Sequence, residues 1–484
     1  MYFQQFYDHD LAQGSYLIGC QASGEAVVVD PRRDVRVYLE AAAAEGLRIV
    51  AVTDTHIHAD YVSGARELAA AAGAELYLSD EGGPDWRYAF DHRGLTHGSV
   101  IRVGNVTLEA LHTPGHTPEH LALLVTDGAR SALPSHLLSG DFVFVGDVGR
   151  PDLLDAVAGG AGTRFEGARR LFASLRDRFL TLPDHVQVWP GHGAGSACGK
   201  ALGAVASSTV GFERLTAWWA PYLAAGDEAG FTTALLEGQP DAPTYFGRMK
   251  RVNRDGPPVL GDRGPLRRLS SGELRGRVNR DLVLVDTRTV AEQRSGSVAG
   301  ALAVPGGASF ATYAAWVIDP DVETREIVLL ATGAEHARAL SERLTRVGID
   351  GARGYLTSVE GLEVAPLPLL RPEGGDALAG ADVLDVRTAS EHAAKHLPGA
   401  RQIAAGNVLA RLQELPRGRR LVVHCQGGGR AAAVASALRN RGFANVVELD
   451  GSLDVWLERV GHAPGGAAPS GGAMAGGAEG VSAT

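Results

Sequence analysis

Short apolar runs, separated by loops and alanine-rich segments, fill the first half of the chain. The runs have the length and β-branched content of strands, and the alanine-rich segments favour helices. Strands are predicted at Ala26–Asp30, Arg48–Thr53, Val106–Ala110 and His120–Val125, and helices at Val35–Ala44 and Ala65–Ala72. Alternation of strands with helices is typical of an α/β unit, which we place at residues 1–250.

A turn-rich stretch at residues 251–265 has the glycine and proline density of a linker. Beyond it the chain repeats itself, since Leu282–Arg288 resembles Val383–Arg387 and each is followed by a further strand, a loop and a helix. A repeat of about 95 residues is too long for a solenoid unit. We therefore predict two small α/β domains, at residues 266–366 and 367–462, and a disordered glycine-rich tail at 463–484.

Composition narrows the class of protein. The chain has 484 residues, 45% hydrophobic and 21% charged, which is typical of a globular protein. No apolar run approaches the roughly 18 residues of a membrane span, so no membrane association is expected. The N-terminus lacks the basic start and apolar centre of a signal peptide, which predicts a cytoplasmic location. The net charge of −10, without a basic patch, argues against nucleic acid as a partner.

Cysteine and histidine point to the chemistry. Three cysteines (Cys20, Cys198 and Cys425) are too few and too scattered for a disulfide framework, so a cysteine here matters for its reactivity. Eleven of the 16 histidines lie in the first 200 residues, which predicts a metal site there. Four clusters each follow an apolar run. They contain His56, His58 and Asp60; His112, His116 and His120; Asp141; and His192.

These clusters resemble the metal-binding series of the metallo-β-lactamase fold. The resemblance implies an αββα sandwich over residues 1–250, with the metal at the strand ends. Dinuclear hydrolases of this fold, such as glyoxalase II, have a histidine where this chain has Tyr61, so a single metal is favoured. The surroundings of His56 and Arg150 are similar to persulfide dioxygenases. That likeness implies one Fe(II) per chain, bound by His56, His116 and Asp141.

The same resemblance suggests roles for neighbouring residues. His58, Asp60, Tyr61 and His192 are expected to orient the ligands or to move protons. Arg150 is expected to bind the anionic thiol carrier, while His112 and His120 are interpreted as packing residues of their loop, with support of the metal ligands as the alternative. Cys20 and Cys198 are interpreted as small packed residues, with acceptance of sulfane sulfur as the alternative for Cys198.

A second reactive segment follows the apolar run Leu421–Val423. Cys425 stands before Gln426, Gly427, Gly428 and Gly429. Such glycines let backbone N–H groups converge on an anion, and Arg430 at the helix start further favours a thiolate. Tyrosine phosphatases have five residues between cysteine and arginine, whereas this chain has four. The segment thus resembles rhodanese sulfurtransferases, which implies that Cys425 carries sulfane sulfur.

The preceding repeat lacks this chemistry. Counting back from its terminal glycine places Ala331 where the other repeat has Cys425, and no arginine follows at the matching place. We interpret residues 266–366 as a degenerate rhodanese domain with a structural, docking or assembly role. The expected fold class is therefore α/β, a metallo-β-lactamase sandwich followed by two rhodanese-like domains.

The order of domains resembles bacterial persulfide dioxygenase–sulfurtransferases that detoxify sulfide. That resemblance implies oxidation of a low-molecular-weight persulfide by O₂ to sulfite, followed by sulfur transfer from Cys425 to give thiosulfate. Assembly into a homo-oligomer is expected. Two alternatives are kept: a zinc thioester hydrolase of the glyoxalase II type, and a non-enzymatic carrier of sulfane sulfur. The carrier thiol is left open.

Overall fold

The computed structural model describes residues 1–153, 162–372 and 378–460. The glycine-rich tail predicted at 463–484 lies outside these residues. Within the described ranges, the helices are all too short or too polar to cross a membrane.

Two facing sheets form the first unit. The strands of the first sheet, in spatial order, are β1 Tyr2–Asp8, β2 Gln13–Cys20, β3 Glu25–Val29, β4 Arg48–Thr53, β5 Glu75–Ser79 and β6 Arg93–Leu95. Those of the second are β7 Val100–Val103, β8 Val106–His112, β9 Leu121–Asp127, β10 His136–Gly140, β11 Gln187–Pro190 and β12 Ser208–Thr209. From β3 to β6 the first sheet is parallel, as is the pair β10–β11.

Helices cover the outer faces of both sheets. Because every residue of β2 is buried, that strand contacts apolar neighbours on both its faces. The helices are α1 Arg36–Ala44, α2 Ala65–Ala72, α3 Thr163–Ser174, α4 Val210–Thr216, α5 Ala220–Ala225, α6 Glu228–Leu236 and α7 Tyr245–Asp255, with a 3₁₀ turn at Pro84–Trp86 and a π-helical turn at Leu175–Phe179. α1 and α2 pack on the first sheet and α3 on the second, which confirms the αββα sandwich.

The middle and C-terminal units have the same sheet topology. The middle unit contains β13 Arg267–Arg268, α8 Ser271–Leu274, β14 Leu282–Asp286, α9 Val290–Ser295, β15 Ser297–Val298, β16 Leu302–Ala303, α10 Phe310–Val317, β17 Glu326–Leu330, α11 Ala334–Arg346, β18 Ala352–Leu356 and β19 Val364–Ala365. The C-terminal unit contains β20 Leu369–Leu370, β21 Asp382–Asp385, α12 Ala389–Ala394, β22 Arg401–Gln402, a 3₁₀ segment Ala405–Glu414, β23 Leu421–His424, α13 Gly429–Asn440, β24 Val446–Leu449 and α14 Leu453–Val460. The parallel sheets are ordered β13-β18-β17-β14-β16 and β20-β24-β23-β21-β22.

Strand register relates the two repeats residue by residue. Leu330 ends β17 and pairs with the last residue of β14, while His424 ends β23 and pairs with the last residue of β21. The residues that follow are Ala331 and Cys425. The place of the thiol in the C-terminal unit is therefore occupied by a methyl group in the middle unit.

Helix α7 crosses the predicted boundary at residue 250. The linker predicted at 251–265 starts inside this helix, because its buried face anchors it to the first unit. The Asn253 amide donates to the carbonyl oxygens of His58 and Tyr61, at 2.8 and 2.7 Å. The end of α7 thus holds the loop that carries the first histidine cluster.

A shared core joins the three units. Leu11 of the first unit and Ala433 and Ala437 of the third pack in one apolar cluster with the middle unit, including Phe310. Arg346 of the middle unit adds buried ion pairs. Its Nη1 lies 2.8 Å from Asp8 Oδ2, and its Nε and Nη2 contact Asp34 at 2.8 and 2.9 Å. The middle unit is therefore fastened to the other two by both apolar and ionic contacts.

We expect Arg346→Met to destabilise the chain by about 3–5 kcal/mol, because it removes the counter-charge of the buried Asp8 carboxylate and leaves Asp34 with Arg32 alone, at 3.4 Å, among the described residues. The midpoint of urea unfolding measures the effect. Arg338→Met is the matched control, since Arg338 makes an exposed pair with Glu342 of the kind that contributes about 1 kcal/mol or less. Equal midpoints for the two variants would show that the ion pairs of Arg346 with the first unit do not stabilise the chain.

Candidate functional site

The predicted ligands lie at one edge of the sandwich, where several strands end. His56 follows β4, His116 lies in the loop between β8 and β9, and Asp141 follows β10. Since strand ends of both sheets meet at this edge, residues far apart in sequence converge there. Their side chains are all nearly inaccessible to solvent.

The three side chains form a compact group of potential ligand atoms. One ligand atom each from His56, His116 and Asp141 lies within 4.8 Å of the other two. Asp141 Oδ2 is 3.8 Å from Nε2 of His56 and 3.4 Å from Nε2 of His116. The structure thus brings together the two imidazoles and the carboxylate that the sequence comparison suggested as ligands.

Hydrogen bonds at the far ring nitrogens orient both imidazoles. His56 Nδ1 lies 2.9 Å from Thr55 Oγ1, whose hydroxyl donates to Asp30 at 3.0 Å. His116 Nδ1 donates to the carbonyl oxygen of Arg150 at 3.0 Å. With Nδ1 engaged as the donor, Nε2 keeps its lone pair toward the centre of the group, as in metal-binding histidines.

Burial and charge set the protonation states. Burial lowers the pKa of His56 well below its usual range and lowers that of His116, so both rings are neutral. Burial alone would raise the pKa of Asp141, but His192 and the other nearby imidazoles hold it well below its ordinary value. Two neutral imidazoles and one carboxylate are the forms that bind a metal.

One buried oxygen tests whether a metal fits. Asp141 Oδ2 is inaccessible and has no hydrogen-bond partner among the described residues. Burying an ionised oxygen without a partner is costly, and a cation beside it would remove that cost. The donor set, two histidines and one carboxylate, suits Fe(II) or Zn(II) and leaves coordination positions open. His56, His116 and Asp141 therefore fit a metal ion.

A hydrogen-bonded chain holds the other side of Asp141. His192 donates from Nδ1 to Asp141 Oδ1 at 2.7 Å and from Nε2 to Asp60 Oδ2 at 2.9 Å. Burial alone would lower the pKa of His192, but Asp141 and its neighbours raise it well above the ordinary value.

Asp60, His192 and Cys198 form a second group, in which one potential ligand atom of each lies within 4.8 Å of the others. Burial raises the pKa of the Cys198 thiol to about 12.

His58 and Tyr61 point away from the ligand group. His58 Nε2 lies 3.2 Å from Asp30 Oδ1, and His58 forms a separate buried group with Asp30 and Asp54. Tyr61 donates to the carbonyl oxygen of Asp30 at 3.3 Å and accepts from Gln13 at 3.2 Å. Tyr61 is connected to His56 through Asp30, which also accepts from Thr55, whereas the His58 ring lies directly against that of His56, with centroids 4.2 Å apart.

Arg150 is buried rather than exposed to a ligand. Its guanidinium contacts the Asp152 carboxylate through Nε, at 2.8 Å, and through Nη2, and it donates to the carbonyl oxygen of Ala197 at 3.0 Å. Only 2% of the side chain is accessible. What the structure assigns to Arg150 is support of His116 through its carbonyl oxygen, and carrier binding stays a prediction.

His120 and Glu119 both hold the backbone near the ligands, a role that the sequence analysis kept as the alternative for His120 and missed for Glu119. The Asp141 N–H donates to His120 Nε2 at 3.0 Å, and the Ile57 N–H donates to Glu119 at 2.7 Å. Burial lowers the pKa of His120 to about 3, so it stays a neutral acceptor. The four-residue spacing between His116 and His120 is the sequence feature that could have indicated this role. His112 ties its own loop through the Pro118 carbonyl oxygen, at 2.8 Å, in agreement with a packing role.

Gly149 lies against two of the ligands. A methyl group there would come within 1.9 Å of the Asp141 carbonyl oxygen and 2.9 Å of His116 Cβ. We expect Gly149→Ala to weaken metal binding by about 10–100-fold, because the backbone of a ligand must shift. Gly247→Ala is the control, since a Cβ at that glycine meets no atom within 4 Å. Competition with a metal chelator measures both, and equal affinities would refute this steric argument.

The thiol loop links β23 to α13 in the C-terminal unit. The Gly428 N–H donates to Cys425 Sγ at 3.1 Å, and the positive φ of Gly428, +86°, turns that amide toward the sulfur. Gln426 and Gly427 are exposed and Gly429 begins the helix. A backbone donor therefore lies on the Cys425 sulfur, and binding of sulfane sulfur by this loop stays a prediction.

Arg430 differs from the expectation that it faces the thiolate alone. Its Nη1 and Nη2 contact both carboxylate oxygens of Glu391, at 2.7 and 2.8 Å. Arg430 lowers the pKa of Glu391 to about 2. Burial would lower the pKa of Arg430, but Glu391 and Cys425 raise it. Glu391 also caps α12 through Thr388, so the arginine is held in place by a helix start.

The middle unit covers the thiol loop. A Cβ added to Gly429 would lie 3.2 Å from the ring of Tyr313, and one added to Gly428 would lie 3.3 Å from Val290. Tyr313 and Val290 both belong to the cysteine-less unit. The thiol site is therefore bordered by two units rather than one.

Two family models match the chain, and each covers one of the two candidate sites. Residues 10–192 match the metallo-beta-lactamase superfamily, and residues 372–459 match the rhodanese-like domain. The first match contains the ligand group and the second contains the thiol loop. A structure of a metallo-beta-lactamase from Staphylococcus aureus subsp. aureus COL is 38% identical, with a TM-score of 0.66, and the match covers 74% of this chain and 99% of that one.

Curated relatives carry two kinds of name. A hydroxyacylglutathione hydrolase from Polaromonas sp. (strain JS666) is 36% identical over 37% of this chain and 61% of its own length. The mitochondrial persulfide dioxygenase ETHE1 of Mus musculus is 28% identical over 39% of this chain and 67% of its own length. The chain thus spans about three fifths of the hydrolases that it matches.

The structural relative has 38% identity, and this chain covers nearly all of its length. The thiol loop lies within the separate rhodanese-like match. The chain therefore belongs to the metallo-beta-lactamase superfamily, as an enzyme with a C-terminal rhodanese-like domain.

Proposed function

We propose that the chain is an iron-dependent persulfide dioxygenase coupled to a sulfurtransferase. One Fe(II) per chain would be held by His56, His116 and Asp141, and Cys425 would carry sulfane sulfur to sulfite. The substrates would be a low-molecular-weight persulfide and O₂. The cytoplasm is the proposed compartment, since all three cysteines are free.

The ligand group carries this proposal. His56, His116 and Asp141 would hold a ferrous ion through two neutral imidazoles and one carboxylate, and iron bound there would supply the redox chemistry for O₂. Asp141 Oδ2, the buried oxygen without a partner, is the anchor that such an ion requires. A persulfide dioxygenase is among the curated relatives.

The chain's own residues would orient the ligands and hold protons. Thr55 fixes the ring of His56, the Arg150 carbonyl oxygen fixes that of His116, and His192 fixes Asp141. His192 is the proton-bearing group beside the ligand group, because it donates to Asp141 and Asp60 at once. Proton transfer during persulfide oxidation would pass through this ring.

The thiol loop supplies the second half of the reaction. The Gly428 N–H on Cys425 Sγ stabilises a negative charge on sulfur, whether a thiolate or a persulfide anion. Arg430, paired with Glu391 in the first turn of α13, would keep a guanidinium beside this loop. The match to the rhodanese-like domain supports this transfer of sulfur.

Thioester hydrolysis with zinc is the second candidate. It is favoured by the hydroxyacylglutathione hydrolase relatives, whose 36% identity exceeds the 28% of the dioxygenase relative. Against it stands Tyr61, which occupies the place of a second-metal ligand and binds Gln13 and Asp30 instead. A hydrolase with two zinc ions would need that ligand.

Oxygen uptake distinguishes the two functions. Iron-loaded full-length protein is mixed with glutathione persulfide in an oxygen electrode, and metal content is measured on the same sample. We expect uptake of one O₂ per persulfide oxidised, with one iron per chain. Hydrolysis of a glutathione thioester without O₂ uptake, together with two metals per chain, would overturn the dioxygenase in favour of the hydrolase.

A further inference from the structure

The loop that carries the first ligand also contacts the middle unit. This segment, residues 54–63 between β4 and α2, is named the metal loop. It contains His56 of the ligand group. It also contains Asp60, which accepts from His192, and His192 in turn donates to Asp141. The positions of two of the three ligands therefore depend on where this loop lies.

The far end of the metal loop is bonded to the middle unit. The Val62 N–H donates at 2.6 Å to the carbonyl oxygen of Arg346, the last residue of α11. The last carbonyl oxygens of a helix have no partner within the helix, and the metal loop supplies the donor for this one. Because Val62 is fully buried, water cannot replace the bond, and its loss would leave a costly unpaired N–H group.

Helix α7 makes a second connection between the middle unit and the metal loop. Arg248 on this helix donates to the carbonyl oxygen of Gly348 at 3.4 Å and pairs with Asp321 at 3.0 Å. A guanidinium at the C-terminal end of a helix, here α11, is also favoured by the helix dipole. Asn253, further along α7, accepts from the Ser63 N–H of the metal loop at 2.9 Å. Both ends of α7 thus take part in the connection.

In the thiol-bearing repeat, the same helix end is bonded within its own unit. Val347 and Arg441 each follow the last residue of their helix, α11 or α13, and each precedes a glycine of positive φ. The Val347 carbonyl oxygen accepts from Arg248 of the first unit at 3.4 Å. That of Arg441 accepts from Arg417 of the C-terminal unit at 3.3 Å. The repeat without the cysteine thus uses this helix end to contact the first unit.

Hydrogen bonds inside the first unit connect this contact to a ligand ring. Tyr61, next to Val62, belongs to the apolar cluster shared with the middle unit and donates to the Asp30 carbonyl oxygen at 3.3 Å. The Asp30 carboxylate accepts from the N–H of Thr55 at 2.6 Å and from its hydroxyl at 3.0 Å. Thr55 Oγ1 lies 2.9 Å from His56 Nδ1. A displacement of Val62 would therefore change the orientation of His56.

We propose that the cysteine-less middle unit positions the metal ligands of the first unit. Val62 and Arg248 are the positioning residues, because they join the metal loop and α7 to the end of α11. The inference rests on the metal site of the proposed function but not on its oxygen chemistry. A unit with Ala331 in place of a cysteine would thus support a centre that lies in another unit.

Gly348→Ala perturbs the contact at the end of α11. A Cβ at this glycine would lie 2.8 Å from Arg248 Nη1 and 3.2 Å from Val62 Cγ2, and the φ of Gly348 is +71°. Gly276→Ala is the matched control, because Gly276 lies in the same unit with a φ of +72°, and a Cβ there meets no atom within 4 Å. Both variants have the same unfavourable φ for alanine, so they differ in the contact with the first unit.

Arg248→Met tests the second connection without altering the backbone. It removes the guanidinium that joins α7 to the carbonyl oxygens at the end of α11. Arg251→Met is the matched control, because Arg251 is also on α7 and pairs with the same carboxylate, that of Asp321, at 2.6 Å. Among the described residues, Arg251 makes no hydrogen bond to the end of α11.

Co(II) is the probe, because it binds nitrogen and oxygen ligands and absorbs visible light. Competition with a chelator gives its affinity for the full-length protein, its visible spectrum reports the ligand geometry, and urea unfolding is measured on the same samples. Residues that orient metal ligands commonly change affinity by about 10–100-fold. We expect Gly348→Ala and Arg248→Met each to weaken Co(II) binding about tenfold and to change the spectrum, while both controls match the unaltered protein.

The results separate a positioning role from a purely structural one. A lower unfolding midpoint with unaltered Co(II) affinity and spectrum in Gly348→Ala and Arg248→Met would overturn the inference, because the contact would then only stabilise the chain. Equal losses of affinity in the two controls would also overturn it. If the unaltered protein binds no Co(II), the metal site and this inference fall together. The expected Co(II) results without oxygen uptake by iron-loaded protein would overturn the dioxygenase and support the positioning role.

Discussion

Asp141→Ala should lose its bound metal and with it the oxygen uptake. Asp141 is the charged member of the ligand group, and His192 holds it in place through Oδ1 while Oδ2 faces the imidazoles. Metal ions typically contribute several kcal/mol to stabilising the transition state, so we expect a fall of about a thousandfold or more. Iron per chain and O₂ uptake with glutathione persulfide are measured on the same preparation.

Two further substitutions make this result specific. Asp141→Asn keeps a side chain of the same shape but removes the charge, and it should lose the metal as well. Asp184→Ala is the control, because Asp184 makes an exposed pair with Arg214 away from the strand ends. Retention of iron and oxygen uptake by Asp141→Ala would show that the metal is held elsewhere.

Cys425→Ser should stop thiosulfate formation while oxygen uptake continues. A serine hydroxyl cannot carry sulfane sulfur as a persulfide, so the transfer step loses its nucleophile. Removal of a nucleophile commonly costs a thousandfold or more, and we expect at least about that loss of thiosulfate. Sulfite should accumulate in its place. Chromatography of the sulfur anions after complete oxygen consumption measures both products.

A second thiol provides the control for this change. Cys20→Ser alters a buried cysteine in the core of the sandwich, which accepts a hydrogen bond from the Asn105 N–H at 3.3 Å. That variant should keep its thiosulfate yield. Unchanged thiosulfate from Cys425→Ser would mean that sulfite meets sulfane sulfur without the rhodanese-like domain, and the coupled function would fall.

Local patterns predicted the elements and the proximity of His56, His116 and Asp141. Arg48–Thr53 and Ala65–Ala72 have the predicted bounds, and the other early elements differ by one or two residues at their ends. Strand ends could be inferred because an apolar run stops at a polar residue, and His56 and Asp141 both stand at such stops. The position of Ala331 followed from counting residues, since parallel strands keep a fixed register.

Side-chain direction and contacts between units could not be predicted in this way. The His58 ring lies against that of His56, but its Nε2 is directed to Asp30, which is distant in sequence. Arg150 is buried by Asp152 and Ala197, which no local pattern reveals. The contact between the metal loop and α11 depends on how two units pack, so it has no signature in any single segment.

The shared apolar core limits which substitutions the chain can accept during evolution. Ala433 and Ala437 lie in the same cluster as Leu11 and Phe310, so no unit can be removed without exposing apolar surface of another. Selection on packing therefore acts on the middle unit even though it has Ala331 where the C-terminal unit has Cys425. Substitutions near Ala331 are free to accumulate, whereas the faces of α10 and α11 must stay apolar if the flanking enzymes are to fold.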